Sequence, residues 1–216
     1  MILFNESDLF TTGSSSKQDF DLPDLSLTLH EGFIPKERAD YYYRHLFYNT
    51  PWREYQMPMY DKVVIVPRMV AWYGAKEETG NNTLTWTREL LELRSLVEEE
   101  TALQFNAVLL NLYRNGNDGV AWHSDREHLI GSNPNIASVT FGQTRPFRFR
   151  HKANKEIPRV DIPLHHGTLL LMSGATNTFW EHHIPKSTKE MLPRINLTLG
   201  RSKIYRFTYL YFCKDF

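Results

Sequence analysis

Chemistry in this chain can start at His123 and Asp125, inside the stretch N-L-Y-R-N-G-N-D-G-V-A-W-H-S-D-R-E at 111–127. Two residues apart on a strand, both side chains leave the same face, because the side-chain period is two. An imidazole and a carboxylate on one face can share a metal ion. By the same parity Asn111 and Tyr113 share a face of the preceding strand, and a turn rich in Gly and Asn separates the two pairs. The stretch reads as a hairpin carrying four polar groups into one cavity. H-x-D alone is a weak signal: with nine histidines in the chain, chance gives about 0.4 such pairs. A third ligand and a setting are required.

The remaining histidines supply the candidates. His165 and His166 stand just before Gly167 in a turn, and His182 and His183 follow the aromatic run Thr178-Phe179-Trp180. Two His and one carboxylate, with H-x-D on one strand and a distant His on another, form a facial triad that leaves adjacent positions open on a non-haem Fe(II). Such a centre can hold a bidentate co-substrate and O2 together. Arg194, Asn196 and Thr198 fall on one face of the last core strand, and a buried Arg offers a planar fork for a carboxylate. A 2-oxo dicarboxylic acid suits both ends, one chelating the metal and the other meeting Arg194.

The elements that must position these groups can be read from periodicity. Residues 11–24 are small and polar and predict a loose N-terminal arm, taken as 1–25. From Ile34 a helix is expected, with Pro35 in its first turn and a stripe of Ala39, Tyr42, Tyr43, Leu46 and Phe47. Met57 to Asp61 lies between two elements and puts Tyr60 near a turn, ahead of a β-rich run at 63–73. Thr83 to Thr87 is a short β-like piece containing Trp86. A second helix over 88–103 uses Leu90, Leu93, Leu96 and Val97, with Glu98 to Glu100 on its solvated face. From Phe105 onward come short strands, at 105–113, 120–125, 137–142, 146–151, 159–164, 168–172, 178–183 and 194–200. That succession predicts a mostly β chain with flanking helices (α+β), its core a double-sheet jelly roll or a barrel. The expected organisation is one catalytic domain: arm 1–25, N-terminal helices and lid 26–104, core 105–216.

Composition narrows the function classes. Of 216 residues, 41% are hydrophobic and 13% aromatic, which excludes disorder throughout. Lys plus Arg equals Asp plus Glu at 25 each, so any attraction to a polyanion must be local. The single cysteine, Cys213, rules out an intrachain disulfide and a cysteine-based zinc site and suits a reducing compartment. The N-terminus carries Glu6 and Asp8 where a signal peptide has basic residues, and no apolar run reaches membrane-spanning length. A soluble intracellular protein is expected, nuclear in a eukaryote and cytoplasmic in a bacterium.

Taken together, the pattern resembles the AlkB family of Fe(II)- and 2-oxoglutarate-dependent dioxygenases, most closely the branch that repairs alkylated bases in duplex DNA. The likeness runs from about Pro58 to Gly200. It is carried by V-P-R-M-V-A-W-Y-G at 66–74, F-N-A-V-L-L-N-L-Y-R-N-G at 105–116, W-H-S-D-R-E at 122–127, A-S-V-T-F-G at 137–142, F-R-F-R-H-K at 147–152, H-G-T-L-L-L-M at 166–172, T-N-T-F-W-E-H at 176–182 and P-R-I-N-L-T-L at 193–199. It implies a double-stranded β-helix core. It further implies that His123, Asp125 and His182 hold iron, and that Asn111, Tyr113, Arg194 and Asn196 hold 2-oxoglutarate. Glu127 matches the acidic position that faces the exocyclic amine of the target base. Tyr60 falls where the duplex branch has an aromatic finger that fills the gap left by a flipped base, and Trp86 matches an aromatic of the substrate pocket. Arg68 and Tyr73, in the first matching segment, are further expected substrate contacts.

A basic run, Arg145, Arg148, Arg150, His151 and Lys152, alternates with Phe147 and Phe149, and from it Arg150 and Lys152 are expected to meet the nucleic acid; Lys186 and Lys189 could add phosphate contacts. One position departs from the family pattern: where a second Arg is expected six residues after the first, this chain has Gly200, with Arg201 next to it. A one-residue slip turns Arg201 to the other face, whereas a bulge at Gly200 would return it to the cavity as a co-substrate ligand. The activity implied is oxidative demethylation of 1-methyladenine- or 3-methylcytosine-type lesions in DNA, duplex DNA being the favoured substrate, with O2 consumed and formaldehyde, succinate and CO2 released, by a monomer. The rivals are an RNA or single-strand demethylase and a binding protein with impaired turnover.

Overall fold

The structure is a computed structural model that describes residues 10, 12, 14–59, 62–74, 83–125 and 133–201. Among these residues the strands are β1 (Ser16–Leu22), β2 (Leu25–Glu31), β3 (Arg53–Met59), β4 (Lys62–Gly74), β5 (Ala107–Tyr113), β6 (Val120–His123), β7 (Ile136–Gly142), β8 (Arg145–His151), β9 (Val160–Leu164), β10 (Thr168–Ser173), β11 (Trp180–Ile184) and β12 (Arg194–Gly200). The helices are α1 (Lys36–Asn49), α2 (Arg88–Thr101) and the single turn α3 (Thr176–Phe179). The strands make two antiparallel sheets, a major one in the order β1-β2-β10-β7-β12-β5-β4-β3 and a minor one in the order β6-β11-β8-β9. This is the mostly β, jelly-roll arrangement expected from the succession of short strands.

Parity along the central strands explains how the major sheet serves two purposes. On β5, β7 and β12 the residues Val108, Leu110, Leu112, Ala137, Val139, Phe141, Ile195, Leu197 and Leu199 face the helices and form one apolar core with Ala39, Tyr42, Leu46, Leu90, Leu93 and Val97. Their alternate neighbours, Asn111, Tyr113, Ser138, Thr140, Arg194 and Asn196, turn to the opposite face and are also buried. A strand buried on both sides should be apolar on both. The polar residues on the inner face mark it as a lining. A second core, built on Leu25, Leu27, Phe147, Phe149, Ile162, Leu164, Leu170, Met172 and Trp180, fills the rest of the space between the sheets.

The helices α1 and α2 hold because each has a defined start and one apolar stripe. Pro35 precedes α1, where its missing N–H is no loss. Thr87 caps α2 by accepting a hydrogen bond from the Leu90 N–H at 3.3 Å, and Ala102 ends the helix in the left-handed region at φ 54°. Against the outer face of the major sheet α1 is further pinned by His166, whose Nδ1 accepts from the Gly142 N–H at 2.8 Å and whose Nε2 meets Asp40 Oδ1 at 3.1 Å. Gly142 has φ 91°, and a Cβ there would lie 2.5 Å from the Pro193 carbonyl oxygen, so only glycine fits that end of β7.

Four points differ from expectation. Residues 16–22, assigned to the loose arm, form β1, paired with β2 from Ser16↔Glu31 to Leu22↔Leu25; a mostly exposed edge strand is held by backbone hydrogen bonds, which composition does not reveal. Thr83 to Thr87 is not a strand, and Leu84 makes only an isolated bridge to Tyr73. Residues 53–59 are a strand that the periodicity did not mark. The boundary expected at 104/105 does not divide the sheet either, since β4 pairs with β5 and β2 with β10. Among the described residues no helix is long and apolar enough to cross a membrane.

Candidate metal and diacid site

Between the sheets lies a cavity whose lining includes His123, Asp125, His182, Arg194, Asn111 and Asn196. His123 ends β6 and His182 lies opposite it on β11, the two being register partners with ring centroids 4.4 Å apart. Asp125 follows β6, with Oδ1 3.9 Å from His123 Nε2 and Oδ2 3.9 Å from His182 Nε2. One donor atom from each residue falls within 4.8 Å of the others. Neither His165 nor His166 joins them: His166 braces α1, and His165 lies 3.6 Å from Glu31 and 3.1 Å from the Thr144 hydroxyl.

Local contacts fix this geometry. The His123 Nδ1–H donates to the Ala121 carbonyl at 2.9 Å, which leaves the Nε2 lone pair facing Asp125. Asn177 pins the backbone of Asp125 from both sides, its Oδ1 accepting from the Asp125 N–H at 2.8 Å and its Nδ2 donating to the Asp125 carbonyl at 2.7 Å. Ser124 donates to the Trp180 carbonyl at 2.9 Å, tying the same corner to β11. Burial holds the His182 imidazole well below its ordinary pKa, with the neighbouring His123 adding to the effect. It likewise lowers His123 and raises Asp125, while the attraction between those two opposes both shifts. Two neutral imidazoles and a carboxylate in need of a cation are a donor set for a divalent metal. They fit Fe(II).

The opposite wall fits a carboxylate. Arg194 is 1% exposed; its Nη2 donates to Thr140 Oγ1 at 2.9 Å and to Asn196 Oδ1 at 2.8 Å. Its Nε and Nη1 are buried without a partner among the described residues. Burial lowers its pKa to about 10, so it stays charged at neutral pH. A buried guanidinium with two unused donors is costly unless an anion arrives to take them. The Asn196 Oδ1 is already shared by Ser138 and Thr140, at 2.9 and 3.3 Å, and its Nδ2 donates to Thr198 at 3.0 Å. The Tyr113 ring lies 5.2 Å below the guanidinium. Iron at one wall and 2-oxoglutarate spanning to Arg194 match these two sets of unsatisfied groups.

The remaining expected site residues divide. Arg68 enters the cavity, where its Nε donates to Asn111 Oδ1 at 2.8 Å. Tyr73 does not: it is 3% exposed and packs in the core under the helices. Arg68 and Tyr73 have opposite parity on β4, and the residue sharing the Arg68 face is Trp72, which lines the cavity and which strand parity alone would have found. Trp86 packs against the helix core beneath Arg94, whose guanidinium lies 4.9 Å from the ring centroid. Arg150 points away from the cavity, paired with Glu181 at 2.8 Å and stacked 4.3 Å over Trp122. Lys152 is exposed and donates to the Asn177 and Thr178 carbonyls at 3.1 and 2.7 Å. Arg145 is buried and bonded to backbone carbonyls, so it is not available to phosphate. Arg201 is exposed just past β12, whose ladder with β5 runs in register to Gly200↔Ala107. No bulge returns Arg201 to the cavity, and Gly200 itself lines it. Tyr60 and Glu127 lie outside the described residues. Sequence reasoning also missed Ser138, Thr140 and Asn177, whose signal was polarity on strands or turns otherwise fully buried.

Comparison with known proteins agrees with this chemistry. The chain is 40% identical over 182 residues to a Mus musculus protein named alpha-ketoglutarate-dependent dioxygenase alkB homolog 3, covering 79% of this chain and 64% of that one. It is 37% identical over 158 residues to the Homo sapiens DNA oxidative demethylase ALKBH2, covering 68% and 60%. It therefore spans less than two thirds of the length of these relatives. A solved structure of OsALKBH1 superposes with a TM-score of 0.59 at 13% identity, over 86% of this chain and 100% of the other, a likeness of fold. Residues 26–199 match the family described as 2OG-Fe(II) oxygenase superfamily. Three side chains able to hold a metal and a buried guanidinium lining one cavity between two antiparallel sheets are compatible with that match, and the chain belongs to the 2OG-Fe(II) oxygenase superfamily.

Proposed function

We propose that the chain removes N-alkyl groups from nucleic-acid bases, DNA being the favoured substrate, by oxidation of the alkyl carbon. The observation that carries the reading is one cavity lined both by His123, Asp125 and His182 and by Arg194, two of whose donor atoms have no partner among the described residues, together with a relative named as a DNA oxidative demethylase. With Fe(II) and 2-oxoglutarate bound, the centre supplies the reduction of O2, two electrons coming from conversion of 2-oxoglutarate to succinate and CO2 and two from the N-alkyl C–H bond. The resulting hydroxymethyl group leaves as formaldehyde when its C–N bond breaks and the proton of the hydroxyl moves to the base nitrogen.

The protein's residues position and enclose. His123, Asp125 and His182 hold the metal; Arg194 takes the far carboxylate, and Asn111, Tyr113 and Asn196 line the path between. Trp72 and Leu109 form an apolar part of the lining, where a planar base can be covered and water excluded. Tyr60 and Glu127 keep their proposed roles as the finger in the duplex and the acceptor for the exocyclic amine. Arg150 and Lys152, held by Glu181 and by backbone carbonyls, make weaker candidates for phosphate contact than the alternation of the strand implied. Every group named comes from one copy of the chain, which suits a monomer.

The test is formaldehyde release from oligonucleotides carrying 1-methyladenine or 3-methylcytosine, with Fe(II) and 2-oxoglutarate, in duplex and single-stranded DNA and in RNA. Release that depends on both cofactors and disappears in Asp125→Ala is expected. Release from RNA alone would replace the DNA assignment. Tyr60→Ala should slow duplex more than single strands; equal losses would remove the finger. A second reading, binding without turnover, is favoured by Gly200 standing where a cavity-facing Arg would be, and tight DNA binding without formaldehyde would establish it.

A further inference from the structure

With Arg194 at one end of a dicarboxylic acid, its other end would lie toward the metal ligands, and the last residues of β12 that line the cavity, Thr198, Leu199 and Gly200, carry no charge. Arg201 is exposed beyond the strand. The cation on that side of the cavity comes instead from a different strand. Arg68 projects from β4, lines the same cavity as His123 and Asp125, and donates through Nε to Asn111 Oδ1 at 2.8 Å. It is close enough for its charge to act on both His123 and Asp125. No ion pair of Arg68 with a carboxylate is found among the described residues, whereas Arg114, Arg148 and Arg150 each have one.

We propose that Arg68 binds the carboxylate of 2-oxoglutarate that lies next to the 2-oxo group, supplying from β4 the positive charge that β12 lacks at Gly200. The Nε–H is committed to Asn111, which orients the guanidinium plane and leaves the Nη groups to grip the carboxylate. The same hydrogen bond holds the Asn111 amide, whose Nδ2 has no acceptor among the described residues. Arg68 is thereby a co-substrate-binding residue. The inference rests on the family's use of 2-oxoglutarate but not on the identity of the oxidised substrate.

Titration of the full chain with 2-oxoglutarate in the presence of Mn(II), without oxygen turnover or nucleic acid, tests it by calorimetry. The comparison ligand is 4-oxopentanoate, which keeps the far carboxylate and the oxo group and lacks the carboxylate beside it. Arg68→Met should weaken 2-oxoglutarate roughly tenfold to a hundredfold and leave 4-oxopentanoate within about twofold. Equal losses for both ligands would mean that Arg68 only shapes the wall through Asn111, and would overturn the assignment, as would unchanged affinity for both. In Arg68→Met/Gly200→Arg, a cation returned from β12 should restore at least about tenfold of the lost affinity; a pair binding no better than Arg68→Met overturns the exchange of roles. Wild-type protein that binds no 2-oxoglutarate would defeat the co-substrate reading itself, whereas wild-type binding with no selective loss defeats this inference alone.

Discussion

Arg145 and Arg194 are each 1% exposed, each lies over the Tyr113 ring, at 6.0 and 5.2 Å, and neither has an ion pair among the described residues. Their donors are used differently. Arg145 gives Nη1 to the Asn115 carbonyl at 3.1 Å and Nη2 to the Asp118 and Pro185 carbonyls at 3.0 and 2.6 Å. It fastens the turn between β5 and β6 to the chain leaving β11. Arg194, which lines the cavity, spends only Nη2 on the protein and leaves Nε and Nη1 without a partner among the described residues, whereas Arg145, outside the lining, leaves only Nε. Burial of a charge is therefore not the mark of function here; a buried charge on the cavity wall with most of its donor atoms unused is.

The contrast breaks first at Arg145. Arg145→Met should cost about 3–5 kcal/mol, because three carbonyls lose their donor, and for a chain of this size that lowers the melting temperature by roughly 6–20 °C. A loss of less than about 1 kcal/mol in denaturant unfolding would show the two arginines to be alike. Arg194→Met should do the opposite. Stability should stay within about 1 kcal/mol or rise, since an uncompensated buried charge is removed, while 2-oxoglutarate affinity falls about a hundredfold, or roughly 2.7 kcal/mol. Calorimetry on the Mn(II)-loaded protein measures the second effect, and thermal unfolding with and without 2-oxoglutarate separates the two.

A third buried base sharpens the comparison because it stays neutral. Burial pushes His166 down to about 4, against the pull of Asp40, and its Nδ1 must keep a lone pair to accept from the Gly142 N–H. Above pH 6.5 the imidazole is neutral in folded and unfolded chains alike. Between about 6.5 and 4 the unfolded chain takes a proton that the native one refuses, so stability falls by about 1.4 kcal/mol per pH unit. Unfolding free energies at pH 7, 6 and 5 should show this slope and His166→Asn should flatten it; an unchanged slope would place the proton uptake elsewhere. The smallest effect is expected at Thr140→Val, which removes one acceptor from Arg194 and one donor to Asn196 for about 1 kcal/mol, read as a several-fold loss of 2-oxoglutarate affinity.

Residue spacing revealed the site better than it revealed its surroundings. His123 with Asp125, and Arg194 with Asn196, lie on single strands or immediately after them, so the period of two brings each pair to one face without knowledge of the fold. His182 had three histidine rivals, and only the pairing of β6 with β11 places it opposite His123. The resemblance pointed to Tyr73 and Trp86, whereas parity with Arg68 on β4 points to Trp72. The strand β1 was hidden because its polar, exposed side chains carry no burial signal, and its stability comes from a ladder to β2. Arg201 depended on a bulge, which is set by hydrogen bonding along the whole of β12 and not by the local glycine.

The division of the cavity between two sheets has a mechanical consequence. β6 is a four-residue edge strand with one neighbour in its sheet, β11, and its register there shifts between His182 and Ile184. Backbone bonding alone gives it little hold. A metal held by His123 on β6 and His182 on β11, with a dicarboxylate reaching Arg194 on the far sheet, would act as a rivet through both layers. The binding free energy is then also the force that keeps that edge closed, so iron supply would govern the lifetime of the protein as well as its turnover, and amide exchange along β6 would report how much of a population carries its metal.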